Sequence, residues 1–196
     1  IFVGDSRTAG MKATLNKQVS SSVTSDVSFI AKAGQGLSWF QSTGYTHLIN
    51  EINKTKGSKP IAVVFNLGIN DMANISNYIS YMSDIASTLK SKNCKLFYMS
   101  VNPINSVMIT KAGKGARTEA QVREFNSKIR SGLSLNYKYI DTYSVLMKKG
   151  YGTNSSYSGT DAASDDGLHY TTKTFKRIYY YCITYLNTGS IDASIY

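Results

Sequence analysis

Five short apolar runs, each followed by a turn and then a helix-forming pattern, constrain this chain more than any other feature. They are Ile1-Phe2-Val3, Val27 to Ala31, Ile61 to Phe65, Lys95 to Val101 and Tyr137 to Ile140. The first has three apolar residues, two of them β-branched, and no polar alternation, so it reads as a buried strand. Between the runs lie helical patterns. Thr8 to Leu15 is helix-compatible, and Ser38-Trp39-Phe40-Gln41 matches a capping box that predicts a helix to about Lys54. Ile75, Ile79, Met82, Ala86 and Leu89 recur at helical spacing. Thr118-Glu119-Ala120-Gln121 is a second capping box, opening a helix that buries Val122, Phe125, Ile129 and Leu133. Thr171 or Thr172 caps a last helix whose apolar face carries Phe175, Ile178, Tyr179, Cys182 and Leu186. Strands alternating with helices predict an α/β chain with a parallel sheet covered on both faces. No repeat, linker or charge block divides residues 1–196, so one domain is expected.

Composition narrows the class. At 196 residues with 42% hydrophobic content, the chain can bury a sizeable core. No apolar run approaches the length of a membrane span. Ile1 already lies in a strand, so the natural chain is expected to begin earlier, and the lack of a targeting segment carries little weight. The net charge of +10 comes from Lys and Arg dispersed in twos and threes, without an arginine-rich arm or an RNA-binding aromatic motif. Nucleic acid is therefore not the expected partner; weak attraction to an acidic polymer is the alternative to a solvated surface. Two histidines and two cysteines without metal spacing make a metal site unexpected. Cys94 and Cys182 each sit in an apolar stretch and read as buried free thiols, with a single disulfide open. Abundant Ser, Thr, Asn and Tyr with few cysteines points to the surface or exterior of a Gram-positive bacterial cell and leaves the cytoplasm open.

Four polar or glycine positions fall at or just past strand ends: Ser6, Gly36, Asn70 and His169. In a parallel sheet those ends share one edge, where ligands bind in open α/β folds. Each residue has a use in acyl transfer. Ser6 can be a nucleophile once a base is near. His169 can be that base, because imidazole titrates near pH 6.5 and both takes and returns a proton. Asp166, three residues earlier, can reach the far ring nitrogen and fix the tautomer. The Ser6 and Gly36 N–H groups and the Asn70 amide can donate to a developing oxyanion. Each also has an ordinary reading: Gly4-Asp5-Ser6 as a turn, Gly36 as a strand end, Asn70-Asp71 as a helix cap, Asp166-Gly167 as a turn. Their joint occurrence in this order favours the chemical one.

Gly4-Asp5-Ser6, Gly36, Gly68-Ile69-Asn70-Asp71 and Asp166-Gly167-Leu168-His169 resemble the four sequence blocks of the SGNH, or GDSL-type, hydrolases, particularly bacterial carbohydrate esterases. The resemblance spans nearly the whole chain. It implies a flavodoxin-like three-layer α/β/α sandwich with a central five-stranded parallel sheet, a Ser6-His169-Asp166 triad, and an oxyanion hole from Ser6, Gly36 and Asn70. It also implies ester cleavage without a cofactor. Two departures stand out. Arg7 replaces the leucine of the family's short name, either as an exposed helix-start residue or as a cation at the substrate-binding edge. Asp165 could compete with Asp166, although spacing favours Asp166. Asp5 and Asp71 are expected to brace their turns by hydrogen bonds to backbone. Trp39 is either core or a substrate-binding platform for a sugar, and His47 reads as structural or exposed.

The resulting expectation is a serine esterase that removes a small acyl group, above all acetyl, from a carbohydrate or cell-wall glycan or from a small ester. An O-acetyltransferase using the same residues, and a catalytically silent glycan-binding domain, are the alternatives. The sequence leaves the oligomeric state unassigned.

Overall fold

The computed structural model describes residues 1–55, 57–151 and 166–194. Among them, five parallel strands run β1 (Phe2–Gly4), β2 (Phe29–Ala31), β3 (Ile61–Asn66), β4 (Cys94–Met99) and β5 (Lys138–Ile140). They form one sheet in the order β2-β1-β3-β4-β5. Phe2 faces Phe29 on one side and Val64 on the other, so β1 is the strand about which the winding reverses.

Side chains of a strand alternate between faces, and here both faces are apolar. Val3, Val63, Phe65, Leu96 and Tyr98 enter one core, while Phe2, Val64, Phe97, Met99 and Ile140 enter the other. That explains runs without polar alternation: most positions of a doubly covered strand are removed from water, with Lys95 and Lys138 exposed near the starts of β4 and β5. On the first face lie α4 (Tyr45–Lys54), α5 (Ile75–Ser91) and α7 (Glu119–Gly132), through Leu48, Met82 and Phe125. On the second lie α1 (Ser6–Gln18) and α9 (Thr172–Thr188), through Met11, Leu15, Phe175 and Cys182. The architecture is the expected flavodoxin-like α/β/α sandwich. Shorter helices α2 (Ser21–Thr24), α3 (Leu37–Trp39), α6 (Ser106–Lys111) and α8 (Thr142–Lys148) complete it. None is long and apolar enough to cross a membrane among the described residues. Cys94 and Cys182 are free and buried.

The Thr118 capping box forms as expected, with Thr118 and Gln121 exchanging side-chain and backbone bonds. The Ser38 box does not. The cap falls two residues earlier, at Gly36, and Leu37 N–H donates to Asp71 Oδ2 at 2.8 Å. A carboxylate from the next strand's turn thus does what the local hydroxyl was expected to do. From there α3, a π-helical turn (Phe40–Gly44) and α4 run on without a break. Trp39 is 8% exposed and packs in the first core, so it is a core residue and not a sugar platform. His47 is exposed.

Arg7 overturns both of its expected readings. It is only 3% exposed, buried beneath the edge of the sheet. Its Nε donates to Leu168 O at 2.9 Å, Nη1 to Asn102 O at 2.7 Å and Nη2 to Pro103 O at 3.0 Å. The guanidinium also lies over the Tyr170 ring, 5.1 Å from its centre. Five fixed donors suit a cluster of carbonyls that lysine could not match. Arg7→Met keeps the stem but leaves three buried carbonyls without these donors, each costing about 1–3 kcal/mol. We expect a loss of at least about 3 kcal/mol in urea unfolding, against under 1 kcal/mol if the side chain were a surface residue.

Candidate active site

Parallel pairing delivers the carboxyl ends of β2, β1 and β3 to one edge, with Gly4 opposite both Ala31 and Asn66. Ser6 is the first residue of α1, two positions past β1. Asp5 caps that helix, its Oδ1 accepting from Arg7 N–H at 2.9 Å. The capped end aims the Ser6 hydroxyl across the crevice at His169, whose Nε2 is 2.8 Å from Ser6 Oγ. On the far side of the ring, Nδ1 lies 2.7 Å from Asp166 Oδ2. Hydroxyl, imidazole and carboxylate therefore form one continuous hydrogen-bonded chain between residues 163 positions apart.

The turn that presents His169 is built by the same carboxylate. Asp166 Oδ1 accepts the N–H groups of Leu168 at 2.9 Å and His169 at 2.8 Å. Burial pushes this carboxyl up, but the bonds from the His169 backbone, the His169 ring and the Leu168 backbone outweigh it and hold Asp166 well below the usual carboxylate range. Lys114 Nζ adds a contact at 3.3 Å. Gly167 turns the chain with φ +70°, and a Cβ there would stand 2.4 Å from Asn105 O. The rival Asp165 lies outside the described residues.

Gly36 and Asn70 also meet. Asn70 Nδ2 donates to Gln35 O at 2.8 Å, next to Gly36. Asp71 bridges further, accepting from Leu37 N–H through Oδ2 and from Tyr78 OH through Oδ1 at 2.6 Å. Asp71 thus reaches the backbone, as expected, but that of another loop. Gly36 is glycine because a Cβ would sit 2.2 Å from Asp71 Oδ2. Among the described residues no group of three or more His, Cys, Asp or Glu side chains is placed to hold a metal.

The sequence gives no sign of a role for the loop between α6 and α7. Arg117 Nη2 lies 3.3 Å from Asn70 Oδ1, and its Nε donates to Ile69 O at 2.9 Å. Arg117 and Lys114 border a groove of about 250 Å³ beside Asn70, shared with Met72, Ala73 and Gln121. No local pattern marks them. A larger cavity of about 760 Å³ lies at the opposite edge of the sheet, lined by Phe2, Val27, Pro60 and Leu186, away from Ser6 and His169.

The sheet order and the hydroxyl–imidazole–carboxylate chain are those of an SGNH-type hydrolase. The chain belongs to the GDSL-like lipase/acylhydrolase family, whose model matches residues 1–181. A comparison with curated sequences finds no significant match. Among solved structures, a Bacteroides fragilis protein provisionally named an acylhydrolase superimposes with a TM-score of 0.69 at 17% identity, covering 96% of this chain and 86% of that one. A GDSL-like lipase from Bacteroides thetaiotaomicron gives 0.63 at 18% identity, covering 89% and 82%. An acetyl xylan esterase gives 0.61 at 14% identity, covering 91% and 96%. At such identities the superpositions establish the shared fold.

Two outcomes test this construction. Gly36→Ala forces the Asp71 carboxylate off Leu37 N–H and should lower stability by about 1–2 kcal/mol, the usual cost of a lost cap; an unchanged melting temperature would mean that the close approach does not matter. The second concerns Asp5, which burial pushes up to about 6 from an ordinary 3.8, against the opposing Arg7 N–H bond and charge. Between those values the folded chain holds a proton that the unfolded chain has released. The advantage is full below about 3.8 and is lost as pH rises through about 6. Asp5→Asn keeps the cap acceptor and removes the titration. Relative to the parent, the variant should gain about 2–3 kcal/mol between pH 4 and pH 7 in urea unfolding; a constant difference would refute the assignment.

Proposed function

We propose that the chain is a serine esterase acting through an acyl-enzyme, with Ser6 as nucleophile, His169 as general base and acid, and Asp166 as the group that orients the ring. The observation that carries this reading is the unbroken contact sequence of 2.8 Å and 2.7 Å from Ser6 Oγ through the imidazole to Asp166. Ser6 Oγ adds to the ester carbonyl as its proton passes to His169 Nε2, and Asp166 stabilises the imidazolium. The N–H groups of Ser6 and Gly36 and the second N–H of Asn70 receive the oxyanion. Both backbone donors lack a protein acceptor among the described residues. Collapse of the intermediate expels the alcohol, which takes the proton from His169. Water then adds to the acyl-serine, giving its proton to the same nitrogen, and releases the carboxylic acid and free Ser6.

For the substrate, we propose a small acyl ester, acetyl foremost, on a carbohydrate or cell-wall glycan. The groove beside Asn70 holds only about 250 Å³, and Lys114, Arg117 and Gln121 line it with polar groups. A fatty acyl chain would gain little there, whereas a sugar ring finds hydrogen-bonding groups. One structural neighbour is an acetyl xylan esterase, which agrees with the reading without carrying it. Arg7 and Trp39 have no part in recognition here, since both are buried.

Hydrolysis of p-nitrophenyl acetate should fall at least about a thousandfold in Ser6→Ala and in His169→Ala. Acetyl esters should be cleaved faster than octanoyl esters. Acetate release from acetylated xylan, mannan, pectin and peptidoglycan identifies the glycan. Activity retained in Ser6→Ala would end the acyl-enzyme mechanism.

A further inference from the structure

Arg117 touches neither Ser6 nor His169, yet its bonds converge on the amide that the proposed mechanism needs. The side chain is half-buried. Its Nε donates to Ile69 O, the carbonyl immediately before Asn70, at 2.9 Å. Nη1 donates to Lys114 O and Gly115 O, closing the loop on itself. Nη2 reaches Asn70 Oδ1 at 3.3 Å. Every one of these acceptors is neutral, and no carboxylate lies within ion-pair distance of Arg117 among the described residues.

An amide has two chemically different ends. A guanidinium only donates and a backbone carbonyl only accepts. Asn70 is held between one of each: Arg117 requires oxygen at its end, and Gln35 O requires nitrogen at the other. Rotation of the amide by half a turn would set the NH₂ against a guanidinium and the oxygen against a carbonyl, so it is doubly disfavoured. One hydrogen of Nδ2 is spent on Gln35 O, leaving the other for a ligand. A cation hydrogen-bonded to the amide oxygen also draws electron density from the nitrogen, which strengthens that remaining N–H as a donor.

We infer that Arg117 is a positioning residue for the reaction, fixing and polarising the Asn70 amide so that its free N–H meets the oxyanion. The inference rests on the oxyanion role proposed for Asn70. It places the effect in the transition state and not in substrate binding, so kcat should change while KM does not.

A double-mutant cycle on p-nitrophenyl acetate hydrolysis by the full chain tests it. Asn70→Ala should lower kcat about a hundredfold to a thousandfold. Arg117→Met should lower kcat about ten- to a hundredfold with KM within about threefold, because a misaligned donor loses part of what an absent one loses. Arg117→Lys, which retains a cation and a donor without the fork, should fall between Arg117→Met and the parent. In the Asn70→Ala background, Arg117→Met should cost no more than about threefold further. Multiplicative losses in the double variant would overturn the inference, showing that Arg117 acts elsewhere. So would an unchanged kcat in Arg117→Met, or a loss confined to KM. Should Asn70→Ala itself keep full kcat, the oxyanion assignment fails, a result distinct from an Arg117 effect that bypasses Asn70. If Arg117→Met does not fold, Arg117→Lys in both backgrounds carries the same comparison.

Discussion

A buried guanidinium sets the register on which the crevice depends. Arg7 follows Ser6, Leu168 precedes His169, and the Nε–O bond between Arg7 and Leu168 ties the two neighbours together across 161 positions of chain. Two further bonds, to Asn102 O and Pro103 O, fasten the segment after β4 to the same point. A charge so deeply buried is usually balanced by a carboxylate. Here peptide oxygens and the face of Tyr170 share in compensating it. Asp5 contributes through space, its carboxylate capping α1 at Arg7 N–H. The start of α1 is thus held to the turn carrying His169 by hydrogen bonds of fixed direction, and a hydroxyl and an imidazole need that precision more than they need extra stability.

The layers themselves were legible because they rest on period and length. Runs of apolar residues too short for helices, separated by helical repeats, leave few arrangements besides a doubly covered parallel sheet. The Thr118 box was legible for the same reason: all its partners lie within four residues. Where the sequence misled, the deciding partner came from elsewhere in the chain. Ser38 and Gln41 satisfy the capping pattern, but Asp71 reaches Leu37 N–H first and moves the start of the helix. Arg7 reads from the sequence as a surface or edge cation because the carbonyls that hold its guanidinium lie beyond residue 100. The helices α6 and α8 are not legible in the sequence although Asn105 and Asp141 cap them locally, Asn105 at Met108 N–H and Asp141 at Ser144 N–H. Both are short, with too few turns to show a repeat.

The same division runs through the site. Ser6, Gly36 and Asn70 could be picked out because they sit near predicted strand ends, which topology brings together, and Asp166 by its spacing from His169; His169 itself, expected at a strand end, stands instead in the turn that leads into α9. What orients them could not be picked out. Asp71 and Arg117 act on loops 34 and 47 residues away, through a carboxylate on Leu37 N–H and a guanidinium on Asn70 Oδ1. Reading them from sequence would require the loop-to-loop distances first.

Two aspartates show how far that surrounding structure decides chemistry. Asp5 and Asp166 are the same residue type at opposite ends of the chain, one adjacent to Ser6 and the other three residues before His169. Both lose water on folding, which alone raises a carboxyl group. Asp166 recovers more than it loses, because three N–H groups converge on its two oxygens and hold its carboxyl well below the usual range. Asp5 is fully enclosed with one backbone donor from Arg7, and that bond offsets only part of the desolvation. The contrast follows from geometry: Asp166 lies in a turn that folds back on its own side chain, whereas Asp5 stands where a strand passes directly into a helix. In the proposed mechanism, a carboxylate that holds an imidazolium has to be charged before the proton arrives. The turn from Asp166 to His169 meets that demand with its own backbone, so the ring and its anion are positioned by a single four-residue segment.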